Sequence, residues 1–196
     1  MSKLRILQLI FALSLAVQAN ADWRVVTGSS VQFQTTRNTN IVETHKLGYL
    51  SGSVRNSGIV TIDIDLNYLD SGNRVGEKTL KSSLFEIADF PLARFEGALT
   101  DLSLFEKLKK GYPVQFDIRG NLSLHGSIEP LTLSITAQGS GETGIIMAVS
   151  TEPIILSAAM FGMEKAVEIL RVAAGLESVS HTVPVSFLLF LKEADF

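Results

Sequence analysis

Alternation of apolar and polar residues dominates the chain and predicts a protein built mainly of β-strands. In the run IVTIDIDL, Ile59–Leu66, the even-numbered positions are all apolar and the odd-numbered positions from Thr61 onward are polar. Similar runs predict about eight strands. They cover Ser29–Thr36, Ile41–Arg55, Ile59–Leu66, Leu92–Leu99, Tyr112–Leu124, Leu131–Ala137, Thr143–Ser150 and Val183–Leu191.

Short turn sequences separate most of these strands. Asn56-Ser57-Gly58, His125-Gly126 and Gly139-Ser140-Gly141 are rich in residues that favour tight turns. Short links imply antiparallel neighbours. Eight such strands fit an up-and-down barrel that encloses one small ligand. Periodicity alone does not distinguish that barrel from a two-sheet sandwich.

Two further patterns predict helices. Ser157–Leu176 has apolar residues at helical spacing, and a shorter helix is predicted near Glu77–Lys81. The longer stripe can pack as core or line a pocket, and it comprises Met160, Met163, Val167, Leu170 and Ala174. Asp101–Gly111 predicts a third helix, in which Ser103 and Glu106 have the spacing of a capping box.

The first residues have the layout of a secretory signal peptide. Lys3 and Arg5 precede an apolar run, and the stretch ends in Ala19-Asn20-Ala21. The apolar run is well short of the ~20 residues that a membrane-spanning helix needs. We therefore expect residues 1–21 to be a signal peptide cleaved after Ala21, and 22–196 to be one exported domain.

Composition excludes several functions. Without Lys3 and Arg5, the 17 basic residues become 15 against 20 acidic ones, a formal charge of −5, which does not favour nucleic-acid binding. Cysteine is absent, so the chain has no thiol nucleophile, and 46% of its residues are hydrophobic. The composition indicates an apolar, mildly acidic domain.

Motifs for catalysis or metal binding are missing. His45, His125 and His181 are far apart in sequence and lack zinc-site spacing. Asp63 and Asp65 share one strand face and could act as an acid–base pair, but the apolar alternation places them on the outer, solvated face. The sequence therefore predicts neither an enzyme nor a metal or cofactor site.

His125 lies between two runs of alternating leucines. Its parity is opposite to that of Leu122 and Leu124, so it should point away from the interior if those leucines face inward. We therefore favour a turn or rim role for His125 over a ligand or metal role. The leucines are then candidates for the barrel wall.

Four segments in order resemble the YceI-like family, the lipocalin-like polyisoprenoid-binding proteins of the bacterial periplasm. They are SSVQF at Ser29–Phe33, the run Leu50–Gly72, LKSSLFEIADFPLARFEG at Leu80–Gly97, and NLSLHG at Asn121–Gly126. The chain departs from the family's pattern at Gly76-Glu77-Lys78-Thr79 and in the long helical segment after Phe161-Gly162.

The resemblance implies an all-β fold, an eight-stranded antiparallel lipocalin-like barrel with a helix in the C-terminal half and a short helix after the third strand. It also implies a periplasmic protein whose apolar tunnel holds an isoprenoid, a quinone or a fatty-acid-like lipid. The inward positions of the alternation would line the tunnel, with Phe161 and Met163 as lid contacts. The expected lining is Phe33, Ile62, Ile64, Phe95, Phe116, Ile118, Leu133, Ile135, Met147, Phe161, Met163 and Phe187.

A second hypothesis keeps the barrel but not the ligand. In it, side chains fill the interior, and the protein serves as a stress-response or protein-interaction module. A continuous apolar tunnel would favour the lipid-binding hypothesis. The sequence is compatible with a monomer or a homodimer.

Overall fold

The computed structural model describes residues 22–141 and 143–194, so the expected signal peptide lies outside the described residues. Within them, β-strands are the main secondary structure. They are β1 (Trp23–Val25), β2 (Ser30–Arg37), β3 (Ile41–Leu47), β4 (Leu50–Val54), β5 (Ile59–Asp65), β6 (Leu69–Asp70), β7 (Leu92–Ala98), β8 (Val114–Leu124), β9 (Ser127–Gly139), β10 (Ile145–Ser150), β11 (Ile154–Ser157) and β12 (Thr182–Glu193).

These strands form one closed antiparallel barrel with eight strand positions around its wall, each of which we call a stave. Three staves are each divided into two consecutive strands, β1/β2, β3/β4 and β10/β11, while β6 only adds a short pairing to β3. Around the barrel the order is β1/β2, β3/β4, β5, β7, β8, β9, β10/β11 and β12. β12 then pairs back to β1 and β2, which closes the barrel and confirms the predicted fold class.

The division of one stave into β3 and β4 explains why the predicted strand Ile41–Arg55 was too long. Ile41–Arg55 is not one strand, because the chain stops pairing with β2 before Gly48 and Tyr49 and resumes by pairing with β1 and β5 after them. The predicted turns at Asn56-Ser57-Gly58 and His125-Gly126 lie between paired strands, as expected.

Ser29 bridges the break between β1 and β2. Its buried hydroxyl donates to the Val26 carbonyl at 2.8 Å and accepts from the Phe190 amide at 2.9 Å. The side chain thus replaces a ladder hydrogen bond where the backbone leaves the regular pairing. Buried backbone amides and carbonyls need hydrogen-bond partners. Ser29 supplies them at the break, next to Phe190 of β12.

Phe95 lies against a pair of glycines on the inner face. Gly97 of β7 and Gly120 of β8 are directly opposite each other in the ladder. A Cβ at Gly120 would lie 2.5 Å from Phe95 Cζ and 2.3 Å from the Glu96 carbonyl oxygen. Glycine is therefore required for the buried Phe95 ring to lie along the sheet.

Gly120→Ala should destabilise the fold, because a methyl group there overlaps the ring and the neighbouring strand. We expect the free energy of unfolding, measured by chemical denaturation, to fall by about 1–3 kcal/mol. Gly48→Ala is the matched control, since a Cβ at Gly48 meets nothing within 4 Å. Equal effects of the two substitutions would contradict this role of Gly120.

The helices cover the two ends of the barrel. They are α1 (Arg74–Thr79), which continues into a π-helical turn (Leu80–Leu84), α2 (Leu104–Lys109) and α3 (Glu164–Ala173), with 3-10 turns at Leu66–Tyr68 and Ala158–Phe161. α2 packs against β8 and β9 at one end. α3 packs against the π-helical turn near the other end.

Two helix predictions were wrong in detail. Ser157–Leu176 is not helical throughout, because β11 extends to Ser157 and a 3-10 turn precedes α3. Gly162, with a φ of 66°, ends that turn in the left-handed conformation. Ser103 makes no side-chain cap on α2; instead it donates from its amide and hydroxyl to the Asp101 carboxylate at 3.0 and 2.6 Å.

Candidate ligand-binding site

A cavity of about 620 Å³ lies at the end of the barrel next to α1 and α3. Its wall combines strand residues from inside the barrel with apolar residues from the covering segments. β2 contributes Val31 and Phe33, the end of the π-helical turn contributes Leu84 and Phe85, and α3 contributes Val167 and Leu170. Polar side chains also line this cavity.

A smaller cavity of about 150 Å³ lies deeper in the barrel, and its lining residues are all apolar or aromatic. Phe105 and Leu108 of α2 close it at the far end, and both are buried. Trp23, the only tryptophan of the chain, also lies in its wall.

The two cavities share part of their walls. Five residues line both, so the large cavity adjoins the small one within the barrel. They are Val31, Ile64, Leu122, Leu156 and Val185. This is the arrangement expected of a site with a polar-lined entrance and an apolar end.

The structure brings eleven of the twelve predicted lining residues to these cavities. Phe33, Ile64, Phe161 and Met163 line the large cavity. The small cavity is lined by Ile62, Ile64, Phe95, Phe116, Ile118, Leu133, Ile135 and Phe187. The barrel-wall expectation for Leu122 and Leu124 is also met, since both line the large cavity.

The prediction that Met147 faces the interior is wrong. Met147 is 42% exposed, whereas its neighbours Ile146 and Ala148 are buried and line the small cavity. The run Ile145–Val149 is apolar on both faces, so alternation could not assign its direction. Pairing of Ile146 with Leu191 of β12 fixes the inward set.

Sequence reasoning missed most of the polar part of the wall. Thr35 and Arg37 follow Phe33 at two-residue spacing, and Glu43 and His45 precede Leu47 in the same way. The alternation of Ser29–Thr36 puts Thr35 on the face of Phe33, whereas Arg37, Glu43 and His45 were not assigned to either face. All four line the large cavity.

His45 is a buried polar residue of this wall, 4% exposed. Its ring stacks on Phe33 with centroids 4.7 Å apart, and its Nε2 lies 2.8 Å from the Thr35 hydroxyl oxygen. Burial lowers the pKa of His45, and the nearby Glu43 carboxylate partly opposes that shift. The imidazole is therefore neutral at pH 7.

Two ion-paired groups contribute the charges near this cavity. Arg37 donates to Glu43 at 2.7 Å. Glu168 of α3 accepts from Arg171 at 2.7 Å and lies 2.8 Å from His181 Nε2. The hydrogen bond from Arg171, followed by that from His181, lowers the pKa of Glu168, so this carboxylate is ionised at neutral pH.

The other candidate polar residues lie outside the cavities. His125 adopts a φ of 51° in the β8–β9 turn, and its Nε2 lies 3.2 Å from a Glu86 carboxylate oxygen, which confirms the turn role. Asp63 accepts two hydrogen bonds from Arg94 at 2.6 and 3.0 Å. Asp65 accepts from the Asn67 amide and thereby caps the Leu66–Tyr68 turn.

Among residues 22–141 and 143–194, no group of three acidic or histidine side chains is arranged to hold a metal ion. No helix in this part of the chain is long and apolar enough to cross a membrane.

These features place the chain in the class of closed eight-stranded antiparallel β-barrels with a largely apolar interior cavity. The sequence matches the YceI-like domain over residues 18–190, so this chain belongs to the YceI-like family. The comparison with curated proteins returned no match.

Among solved structures, one similar chain is a polyisoprenoid binding domain from Saccharophagus degradans implicated in plant cell wall breakdown. It is 30% identical, with a TM-score of 0.83, over 89% of this chain and 99% of the other. BcnA from Burkholderia cenocepacia is 16% identical, with a TM-score of 0.63, over 83% and 95%. A Campylobacter jejuni YCEI protein is 11% identical, with a TM-score of 0.55, over 78% and 85%. The last two likenesses show the fold alone.

Stability should depend on pH through His45. Its folded-state pKa lies below the ordinary value near 6.5, so the unfolded chain binds more protons as the pH falls through that value. We expect the free energy of unfolding to fall between pH 7.5 and 5.5, and to fall less in His45→Phe. Denaturant unfolding across this range measures the slope.

Gly48→Ala is the control for this experiment, because it changes no titratable group and a Cβ there meets nothing within 4 Å. It should keep the wild-type pH slope over the same range. Parallel curves for wild type and His45→Phe would contradict the role assigned to His45.

Proposed function

We propose that this protein binds a long-chain isoprenoid or similar amphiphile, such as a lipid with a quinone head, in the two adjoining cavities. The observation that carries the proposal is an apolar cavity inside a closed barrel, entered past a wall that contains polar side chains. An amphiphile matches this distribution, with its chain in the small cavity and its polar end in the large one.

Burial of the chain supplies the affinity. Removing apolar surface from water contributes roughly 25 cal/mol per Å². A prenyl chain needs no directional contacts for this term. Polar groups at the other end would then set orientation rather than overall affinity.

The relative from Saccharophagus degradans supports this proposal, because it is described as a polyisoprenoid binding domain and is similar over almost its whole length. The proposal is binding and transport or sequestration, not catalysis. The arginines in the wall of the large cavity form ion pairs with carboxylates, which hold these side chains in place. Such a wall fits a binding site.

The alternative, a filled barrel acting as a stress-response or interaction module, expects a packed interior. Protein interiors are normally filled to crystal-like density, with few voids larger than water. A cavity of about 620 Å³ is difficult to reconcile with that alternative.

The direct test is to identify what the protein carries. We expect mass spectrometry of an organic extract, from protein purified out of its native host, to show a lipid with a prenyl chain. Native mass spectrometry of the same sample would report stoichiometry and whether the protein is a monomer or a homodimer. Repeated recovery of ligand-free protein that also fails to take up prenyl lipids would refute the proposal.

The proposed location is the periplasm, with residues 1–21 removed during export. The protein recovered from the periplasmic fraction should then have an intact mass corresponding to a chain that begins at Asp22. Recovery of the full-length chain from the cytoplasm would contradict this part of the proposal.

Leu156→Trp should block the passage between the cavities, because Leu156 lines both of them. We expect affinity for a prenyl lipid, measured by calorimetry, to fall at least tenfold, by about 1.4 kcal/mol or more. Ile155→Trp is the matched control, since the adjacent Ile155 is 60% exposed. Equal affinities for the two variants would show that the ligand does not occupy the junction.

A further inference from the structure

The distribution of polar residues fixes which end of a bound amphiphile enters which cavity. The small cavity has only apolar and aromatic lining, so it suits the chain. The polar lining belongs to the large cavity alone, and includes Thr35, His45, Ser157 and Ser180. A head group would therefore lie in the large cavity, between β2, β3 and α3.

The charges around this head-group region are already neutralised. Among the described residues that line the large cavity, the permanent cations are Arg37 and Arg171. Arg37 is paired with Glu43 at 2.7 Å. Arg171 is paired with Glu168 at 2.7 Å and also donates to the Leu176 carbonyl at 2.9 Å. His181 shares the Glu168 carboxylate.

An anionic head group would meet these carboxylates as well as the arginines. Phosphate and carboxylate ligands are bound most strongly by an arginine whose N–H fork is free for bidentate contact. Here Glu43 and Glu168 take part of each fork and add like charge next to an entering anion. The wall therefore gives a diphosphate or a fatty-acid carboxylate little net attraction.

A neutral head group, in contrast, meets suitable partners. Thr35 Oγ1 is bonded to His45 Nε2, Ser157 Oγ accepts from the Ala159 amide, and Ser180 Oγ donates to the Thr182 carbonyl and accepts from the Thr182 amide. Each oxygen can still accept a hydrogen bond from a ligand, and the Ser157 hydroxyl, which only accepts in these contacts, can also donate one. The buried His45 ring, bonded to Thr35 at 2.8 Å, adds polarity to this wall without adding charge, because burial lowers its pKa.

We propose that the site selects prenyl lipids with a neutral, hydrogen-bonding head group, such as a prenyl alcohol or prenylquinone, over prenyl diphosphates and fatty-acid anions. Glu43 and Glu168 set this selectivity by occupying Arg37 and Arg171. This inference rests on the proposed lipid-binding function and specifies the ligand's chemical class.

Ligands that share one chain and differ only in head group test the selectivity. Geranylgeraniol, menaquinone-4 and geranylgeranyl diphosphate all carry a chain of four isoprene units. We expect the full-length mature protein to bind the alcohol and the quinone at least tenfold more tightly than the diphosphate, measured by calorimetry at fixed ionic strength. Diphosphate binding as tight as that of the alcohol would overturn the inference.

Glu43→Gln tests the mechanism, because it frees Arg37 without removing it. Affinity for the diphosphate should rise at least fivefold, while affinity for geranylgeraniol stays within twofold. Glu168→Gln should act in the same direction through Arg171. Glu96→Gln is the matched control, since this exposed carboxylate on β7 lines neither cavity.

Arg37→Gln keeps the test decisive if Glu43→Gln unfolds. Because Glu43 already pairs with Arg37 in the wild type, the loss of Arg37 should lower the affinity for the diphosphate less than twofold. A much larger loss would show that Arg37 binds anions and would overturn the inference. If none of the three lipids binds the wild type, the proposed function itself fails, a result distinct from diphosphate preference.

Discussion

Pairing of β12, the last strand of the described chain, with the first strands β1 and β2 is the constraint on which the cavities depend. β12 pairs with β1 and β2 along one edge and with β10 and β11 along the other. Without that closure, two rows of backbone amides and carbonyls would be left unpaired at sheet edges, and the apolar inner face would be open to water. Closure satisfies the backbone groups and encloses apolar space in the same step.

The two ends of the barrel then differ in how they are covered. α2 inserts Leu104, Phe105 and Leu108, all buried, and so fills its end. α3 has an apolar stripe but no buried residue, because its inner side chains face a cavity rather than a packed core. α2 therefore fills its end of the barrel, whereas α3 lies over the large cavity. The site is accessible from the α3 end.

Strict alternation was sufficient to assign the barrel wall wherever one strand face was polar. Ile62, Phe95 and Ile118 were assigned in this way, and the structure places them inside. Alternation failed at Met147, because that strand is apolar on both faces and only the pairing with β12 decides its direction. It also failed for the inner-facing Arg37 and His45, since polar residues at inward positions are indistinguishable from solvent-facing ones in a single sequence.

Those inward polar residues change which molecules the barrel cavity can hold and how they are oriented. A cavity lined by apolar groups alone would accept any hydrocarbon of suitable size and could not fix its orientation. Charged residues free of partners would instead favour an ion and would be costly to desolvate. Pairing Arg37 with Glu43 and Arg171 with Glu168 keeps polar groups in the wall of the large cavity with little net charge. The buried His45 adds a polar ring to this wall without adding charge. Under the proposed function, such a wall would orient the amphiphile while burial of its chain supplies the affinity.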